Sequence, residues 1–100
     1  MEVIIKQEDG KTYVKLSGRL DTTNASAFQT DIEPLFALED PDIELDCADM
    51  EYTSSQGLRA FLMLQKSVTS HGGKLVMTNM KPQVREVFDI TGFSTIINIK

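Results

Sequence analysis

Apolar residues fall in two short runs at the start of the chain. Val3-Ile4-Ile5 is β-branched, and Thr12-Tyr13-Val14-Lys15-Leu16 alternates apolar with polar. The turn-forming Glu8-Asp9-Gly10 lies between them, so the pattern predicts a β-hairpin whose second strand closes at Gly18-Arg19-Leu20-Asp21. The period then changes. Ala25, Phe28, Ile32, Leu35 and Phe36 recur at spacings of three and four, which is a helical stripe. Asp21, Thr22, Thr23 and Asn24 are its candidate N-caps, and Pro34 should kink or end it near that point. Pro41 and its acidic neighbours turn the chain into Ile43, Leu45 and Cys47, alternating with Asp42, Glu44 and Asp46 as a third strand.

Thr53-Ser54-Ser55 then ends a strand-to-helix loop, and Leu58, Phe61, Leu62, Gln65 and Val68 follow at helical spacing. His71 in the last turn, with Gly72-Gly73 behind it, is how a helix stops. Leu75-Val76-Met77 reads as a short strand. Pro82 opens a helix carrying Val84, Val87 and Phe88, Gly92 follows its end, and Thr95–Ile99 reads as a final strand. The order β-β-α-β-α-β-α-β defines an α/β fold. Its sheet is mixed and largely parallel, with an antiparallel N-terminal edge and helices covering it. No repeat, linker or low-complexity stretch divides the chain, so residues 1–100 are expected to form a single domain.

Composition narrows the function. The chain is 41% hydrophobic and 25% charged, as in an ordinary globular protein, and carries a formal net charge of −5. Its ten lysines and arginines are scattered, so the dense basic patch that phosphate-backbone binding requires is missing and nucleic acid is not an expected partner. A basic protein surface suits the acidic chain better. No apolar run approaches the ~20 residues of a membrane span, and no signal-peptide pattern opens the sequence. A single cysteine, Cys47, cannot build a disulfide framework and reads as a small apolar residue in a strand. The cytoplasm is the expected location.

Catalytic constellations are hard to find. The only histidine, His71, lies at the far end of the helix that Ser55 opens, about 16 residues or ~24 Å away at the α-helical rise, too far for a Ser-His-Asp triad. Gly72-Gly73 lacks the lysine and hydroxyl residue of a phosphate loop. The acidic cluster Asp46, Asp49 and Glu51 lacks metal-loop spacing and reads as a solvated loop, so neither metal nor cofactor is expected. Met50, Met63, Met77 and Met80 read as gap-fillers, since they form no Met-rich stripe.

Thr53-Ser54-Ser55-Gln56-Gly57-Leu58 is more informative. Ser54 or Ser55 can cap the helix. The same helix start, with free N–H groups and about half a positive charge, can also hold a phosphate. Gly57 in the first turn costs roughly 1 kcal/mol of helix propensity, which the close approach of a partner or a neighbouring loop would explain.

Four segments in order carry a resemblance over nearly the whole chain: Gly18-Arg19-Leu20-Asp21, Tyr52-Thr53-Ser54-Ser55-Gln56-Gly57-Leu58-Arg59, Gly72-Gly73-Lys74-Leu75, and Pro82-Gln83-Val84-Arg85-Glu86-Val87-Phe88 with Gly92-Phe93 behind it. In these the chain resembles the bacterial anti-sigma-factor antagonists, the family of the STAS domain. The resemblance implies a partner-switching protein rather than an enzyme. Unphosphorylated, such a protein binds an anti-sigma factor that is also an ATP-dependent serine kinase, and so frees a sigma factor. The kinase then phosphorylates a serine at the start of the central helix, and a metal-dependent serine phosphatase resets the switch. The modified serine precedes the glycine by two positions, which is Ser55 here, with Ser54 as the runner-up. Asp21 matches an aspartate that lies close to that serine. Ser54 stands where the family commonly has aspartate, and Gln56 where it often has a small residue. The family also usually carries a further helix after the last strand.

The expected partner-binding surface comprises Asp21, Thr22, Ser54, Ser55, Gln56, Gly57 and Arg59, and the expected state is a monomer or weak dimer. Two other functions stay open on the sequence. One is a constitutive STAS scaffold in a sensory or transport complex, with the serine only a cap. The other is a small enzyme using Ser54 or Ser55 as nucleophile, against which stand the absent base and the missing oxyanion motif.

Overall fold

A computed structural model describes all residues, Met1–Lys100. The hairpin forms as its pattern requires: strands β1 (Glu2–Glu8) and β2 (Lys11–Leu20) pair antiparallel around Asp9-Gly10, both in the left-handed region at φ 52° and 80°. Helix α1 (Ala25–Phe36) passes Pro34 and ends two residues later. Strand β3 (Asp42–Thr53), helix α2 (Ser55–Ser70), strand β4 (Lys74–Thr78), helix α3 (Pro82–Ile90), a short 3-10 turn at Phe93–Thr95 and strand β5 (Asn98–Ile99) follow. The sheet order is β1-β2-β3-β4-β5, parallel throughout except for the β1–β2 pair.

All three helices cover one face of this sheet. Phe28 of α1 packs edge-on against Phe61 of α2 at 5.3 Å between ring centroids, and Phe61 meets Phe88 of α3 at 5.9 Å. These rings join one cluster of 20 buried hydrophobic residues, to which the sheet contributes Val14, Leu16, Leu20, Ile43, Leu45, Cys47, Met50, Leu75 and Met77. The alternate strand positions, among them Ile4, Tyr13, Lys15, Glu44 and Val76, point to the uncovered face and stay exposed or half-buried.

The structure corrects three expectations. Asp46, Asp49 and Glu51 do not form a solvated loop, because β3 continues through them to Thr53. Two irregularities in the β2–β3 register hide this extension. From Val14↔Leu45 to Leu20↔Thr53, β2 advances six residues while β3 advances eight, so β3 holds two bulged residues. Its inward positions are therefore Ile43, Leu45, Cys47, Met50 and Thr53, with the spacing widening from two to three after Cys47. The hydroxyl run consequently ends no loop: Thr53 is the last strand residue, Ser54 caps the helix, and Ser55 is its first residue. At the C-terminus, the Thr95–Ile99 strand shrinks to Asn98–Ile99, because Phe93–Thr95 forms a 3-10 turn closed by bonds from Ile96 N–H and Ile97 N–H to the Phe93 carbonyl.

Helix α2 ends as its glycines indicate. Gly72 adopts φ 71°, Gly73 N–H donates to Val68 O at 2.9 Å and Gly72 N–H to Thr69 O at 3.1 Å, a Schellman closure. The His71 ring nitrogen Nδ1 lies 2.7 Å from the Ser67 carbonyl, so this histidine completes the helix end.

Candidate functional site

Two parallel strands, β2 and β3, end side by side, and each leads into a helix, β3 through Ser54 alone and β2 through a four-residue turn. One backbone bond ties the two exits together: Ser54 N–H donates to Leu20 O at 2.8 Å. Beyond Leu20, the chain folds into a self-contained turn. Asp21 Oδ1 accepts from Thr23 Oγ1 at 2.6 Å, Thr23 N–H at 3.0 Å and Asn24 N–H at 3.3 Å. Asn24 reciprocates, its Oδ1 accepting from Asp21 N–H and its Nδ2 donating to Arg19 O, both at 2.9 Å. Asn24 thus occupies the N-cap position of α1 without capping it. The Thr23 hydroxyl, and after it the Thr23 N–H, holds the Asp21 carboxyl below the usual aspartate range; Asn24 N–H and the Arg19 charge add to this, while partial desolvation opposes it.

At the second exit the two serines divide the work. Ser54 is 7% exposed and its Oγ accepts from Gly57 N–H at 3.2 Å, so Ser54 is the N-cap of α2. Ser55 is exposed, and its hydroxyl bonds to nothing in the chain. The N–H groups of Ser55 and Gln56 belong to the first turn, where helical donors lack an intrahelical acceptor. Thr53, 2% exposed, donates its hydroxyl to the Ser54 carbonyl at 3.2 Å.

The space around Gly57 explains why glycine stands there. A Cβ at this position would lie 2.5 Å from Thr53 Oγ1 and 2.6 Å from Leu20 Cδ2, inside any real contact distance. The neighbour that needs the room is the chain's own β2 exit, so Gly57 is buried beneath the surface that Ser55, Gln56 and Arg59 expose. Gln56 and Arg59 face the first turn of α1 across a polar cleft they line with Ala25, Ser26 and Gln29. Asp21 is half-buried and Thr22 exposed beside the other exit.

Arg19 and Tyr52 form a pair that no sequence motif announces. They lie opposite each other in the β2–β3 ladder, the guanidinium 4.5 Å from the ring centroid, and both are exposed beside the helix starts. Only the bulged register brings them level. Cys47, by contrast, is fully buried: desolvation first, and then the neighbouring Asp46 charge, push its thiol up to about 12, so it has no thiolate character at neutral pH. No group of three or more His, Cys, Asp or Glu side chains is arranged to hold a metal ion. No helix is long and apolar enough to cross a membrane.

A five-stranded mixed sheet covered on one face by three helices, with a serine-opened central helix between β3 and β4, defines a STAS domain. The chain belongs to the STAS domain family, whose model matches residues 2–100. Among its relatives, the anti-sigma-B factor antagonist of Bacillus subtilis is 31% identical over 99 residues, spanning 99% of this chain and 90% of that protein. BtrV of Bordetella bronchiseptica, a candidate anti-sigma factor antagonist, is also 31% identical over 99 residues, spanning 99% of this chain and 85% of BtrV. The Bacillus anti-sigma factor antagonist SpoIIAA, solved in unphosphorylated and phosphorylated forms, shares the fold with a TM-score of 0.72 in each case. At 16% identity, the alignments cover 99% of this chain and 87% and 91% of those chains.

Proposed function

We propose that this chain is a phosphorylation-controlled protein-binding switch without catalytic activity of its own, acting in the bacterial cytoplasm. Unphosphorylated, it binds an anti-sigma factor that is also a serine kinase, and so releases a sigma factor. Phosphorylation of Ser55 separates the two proteins, and a serine phosphatase restores binding. The observation that carries this reading is the division between Ser54, buried and committed to the Gly57 N–H, and Ser55, exposed and uncommitted on the next residue. A kinase can reach Ser55 without dismantling the helix start, whereas modifying Ser54 would remove the cap and force a dianion into a buried position. At Ser55 the phosphate meets the positive end of the α2 dipole, which favours the folded product.

The partner surface on this reading comprises Asp21, Thr22, Ser55, Gln56 and Arg59. Arg19 and Tyr52 extend it toward the ~800 Å² that a standard interface buries on each side. Gly57 and Ser54 support this surface from beneath. Phosphate adds about −1.5 to −2 charges at its centre. Incubation with ATP and the cognate kinase, followed by peptide mass spectrometry, tests the assignment: the phosphate is expected on Ser55. Phosphate on Ser54 or Thr53 instead would overturn the site, and no transfer at all would favour the constitutive scaffold.

A further inference from the structure

The sheet face left bare by the helices carries an ordered pattern of charge. Three rows of side chains cross it from β1 to β4. In the first, Glu8, Lys11, Asp42 and Lys74 alternate in charge; Glu8 pairs with Lys11, Asp42 pairs with Lys74, and Lys11 is level with Asp42 because the next residues, Thr12 and Ile43, are partners. The second row is Lys6, Tyr13, Glu44 and Val76, and the third Ile4, Lys15, Asp46 and Thr78. Reversing each row end for end, as a two-fold axis parallel to the strands does, sets Glu8 over Lys74 and Lys11 over Asp42 in the first row. It sets Tyr13 over Glu44 in the second and Lys15 over Asp46 in the third. No like charges oppose each other in any row. Two large apolar side chains lie exposed in the same field, Ile4 at 48% and Tyr13 at 40%, and with Lys6, Lys15, Glu44 and Asp46 they line one shallow depression.

We propose that this uncovered face is a self-association surface. On it a second copy of the chain docks about a two-fold axis parallel to the strands, placing β2 of one copy over β3 of the other. Self-complementarity of this kind is what an isologous dimer requires, and aligned packing of two sheets is a standard arrangement. The surface lies across the sheet from the helices and does not depend on the reading of Ser55. From a strand spacing of ~4.8 Å and a rise of ~3.3 Å, four strands by six residues present roughly 400 Å² per copy, about half a standard interface. The dimer is therefore weak and concentration-dependent. Two of its lysines already have partners within one chain, Lys11 with Glu44 and Lys15 with Asp49, both at 3.3 Å, so at the centre of the face docking extends a charge network, while Lys6 meets Val76 only at its edge.

Sedimentation velocity up to millimolar protein, at low and high salt, tests the proposal. The parent protein is expected to dimerise reversibly, and less so at high salt. Lys15→Glu and Asp46→Lys should each sediment as monomers, while their equimolar mixture should recover a heterodimer, because only the mixed pair restores both oppositions. Asp46 also accepts from Ala48 N–H and Asn79 Nδ2, so Lys11→Glu with Asp42→Lys provides a second pair should Asp46→Lys fold poorly. A parent that stays monomeric throughout overturns the proposal. So does a dimer that survives the single reversals, or a mixture of folded variants that fails to associate.

Discussion

Ser54 Oγ accepts the backbone N–H of Gly57 at 3.2 Å, and this one bond leaves the adjacent Ser55 hydroxyl without a structural duty. Ser54→Ala should therefore cost about 1 kcal/mol of stability through the lost cap, and Ser55→Ala much less. Urea unfolding of the two variants measures the difference. Equal losses would mean that the two hydroxyls share the cap.

Gly57→Ala should destabilise the fold although alanine favours helices. The added methyl meets Leu20, which is fully buried, and Thr53, which is 2% exposed, so neither can yield freely. Overpacking of this kind costs about 1–3 kcal/mol against the ~1 kcal/mol that alanine returns in helix propensity. Thermal unfolding is expected to show a net loss. A stabilised Gly57→Ala protein would show that the β2 exit moves aside easily.

Asp21 should titrate below the usual aspartate range. Since its folded-state pKa is lowered, its contribution to holding the turn is present above the ordinary carboxylate pKa and fades as pH falls through the lowered value. Thr23→Val deletes the hydroxyl that is the largest cause, so the Asp21 midpoint should move up. Carboxyl-carbon NMR titration of the parent and the variant follows this directly. An unchanged midpoint would remove Thr23 as the cause.

Much of this architecture is legible in the residues. The helices were plain because each carries a phenylalanine within an unbroken stripe, and Phe28, Phe61 and Phe88 turn out to be the rings that join them. The second half of β3 was not legible. Its inward residues Cys47, Met50 and Thr53 are three apart, and a period-two reading stops at the first bulge. The β-branched Ile96 and Ile97 suggest a longer last strand than forms, because local bonds to the Phe93 carbonyl hold them in a turn. At the site, the motif locates the serines, but only burial and the bond from Gly57 N–H separate the capping Ser54 from the free Ser55. Gly57 stood out by its helix cost, and only the position of Leu20 explains it.

Titration calorimetry with the cognate anti-sigma factor kinase tests the central claim most directly, using the unmodified protein, Ser55→Ala, Ser55→Asp and protein carrying phosphoserine at position 55. Unmodified protein and Ser55→Ala should bind alike. Ser55→Asp should bind more weakly, with its fold intact by circular dichroism. An unpaired charge at a desolvated contact costs several kcal/mol and each 1.4 kcal/mol is tenfold, so phosphoserine should weaken binding by about a hundredfold or more. Equal affinity for the unmodified and phosphoserine-55 proteins would contradict Ser55 as the switch.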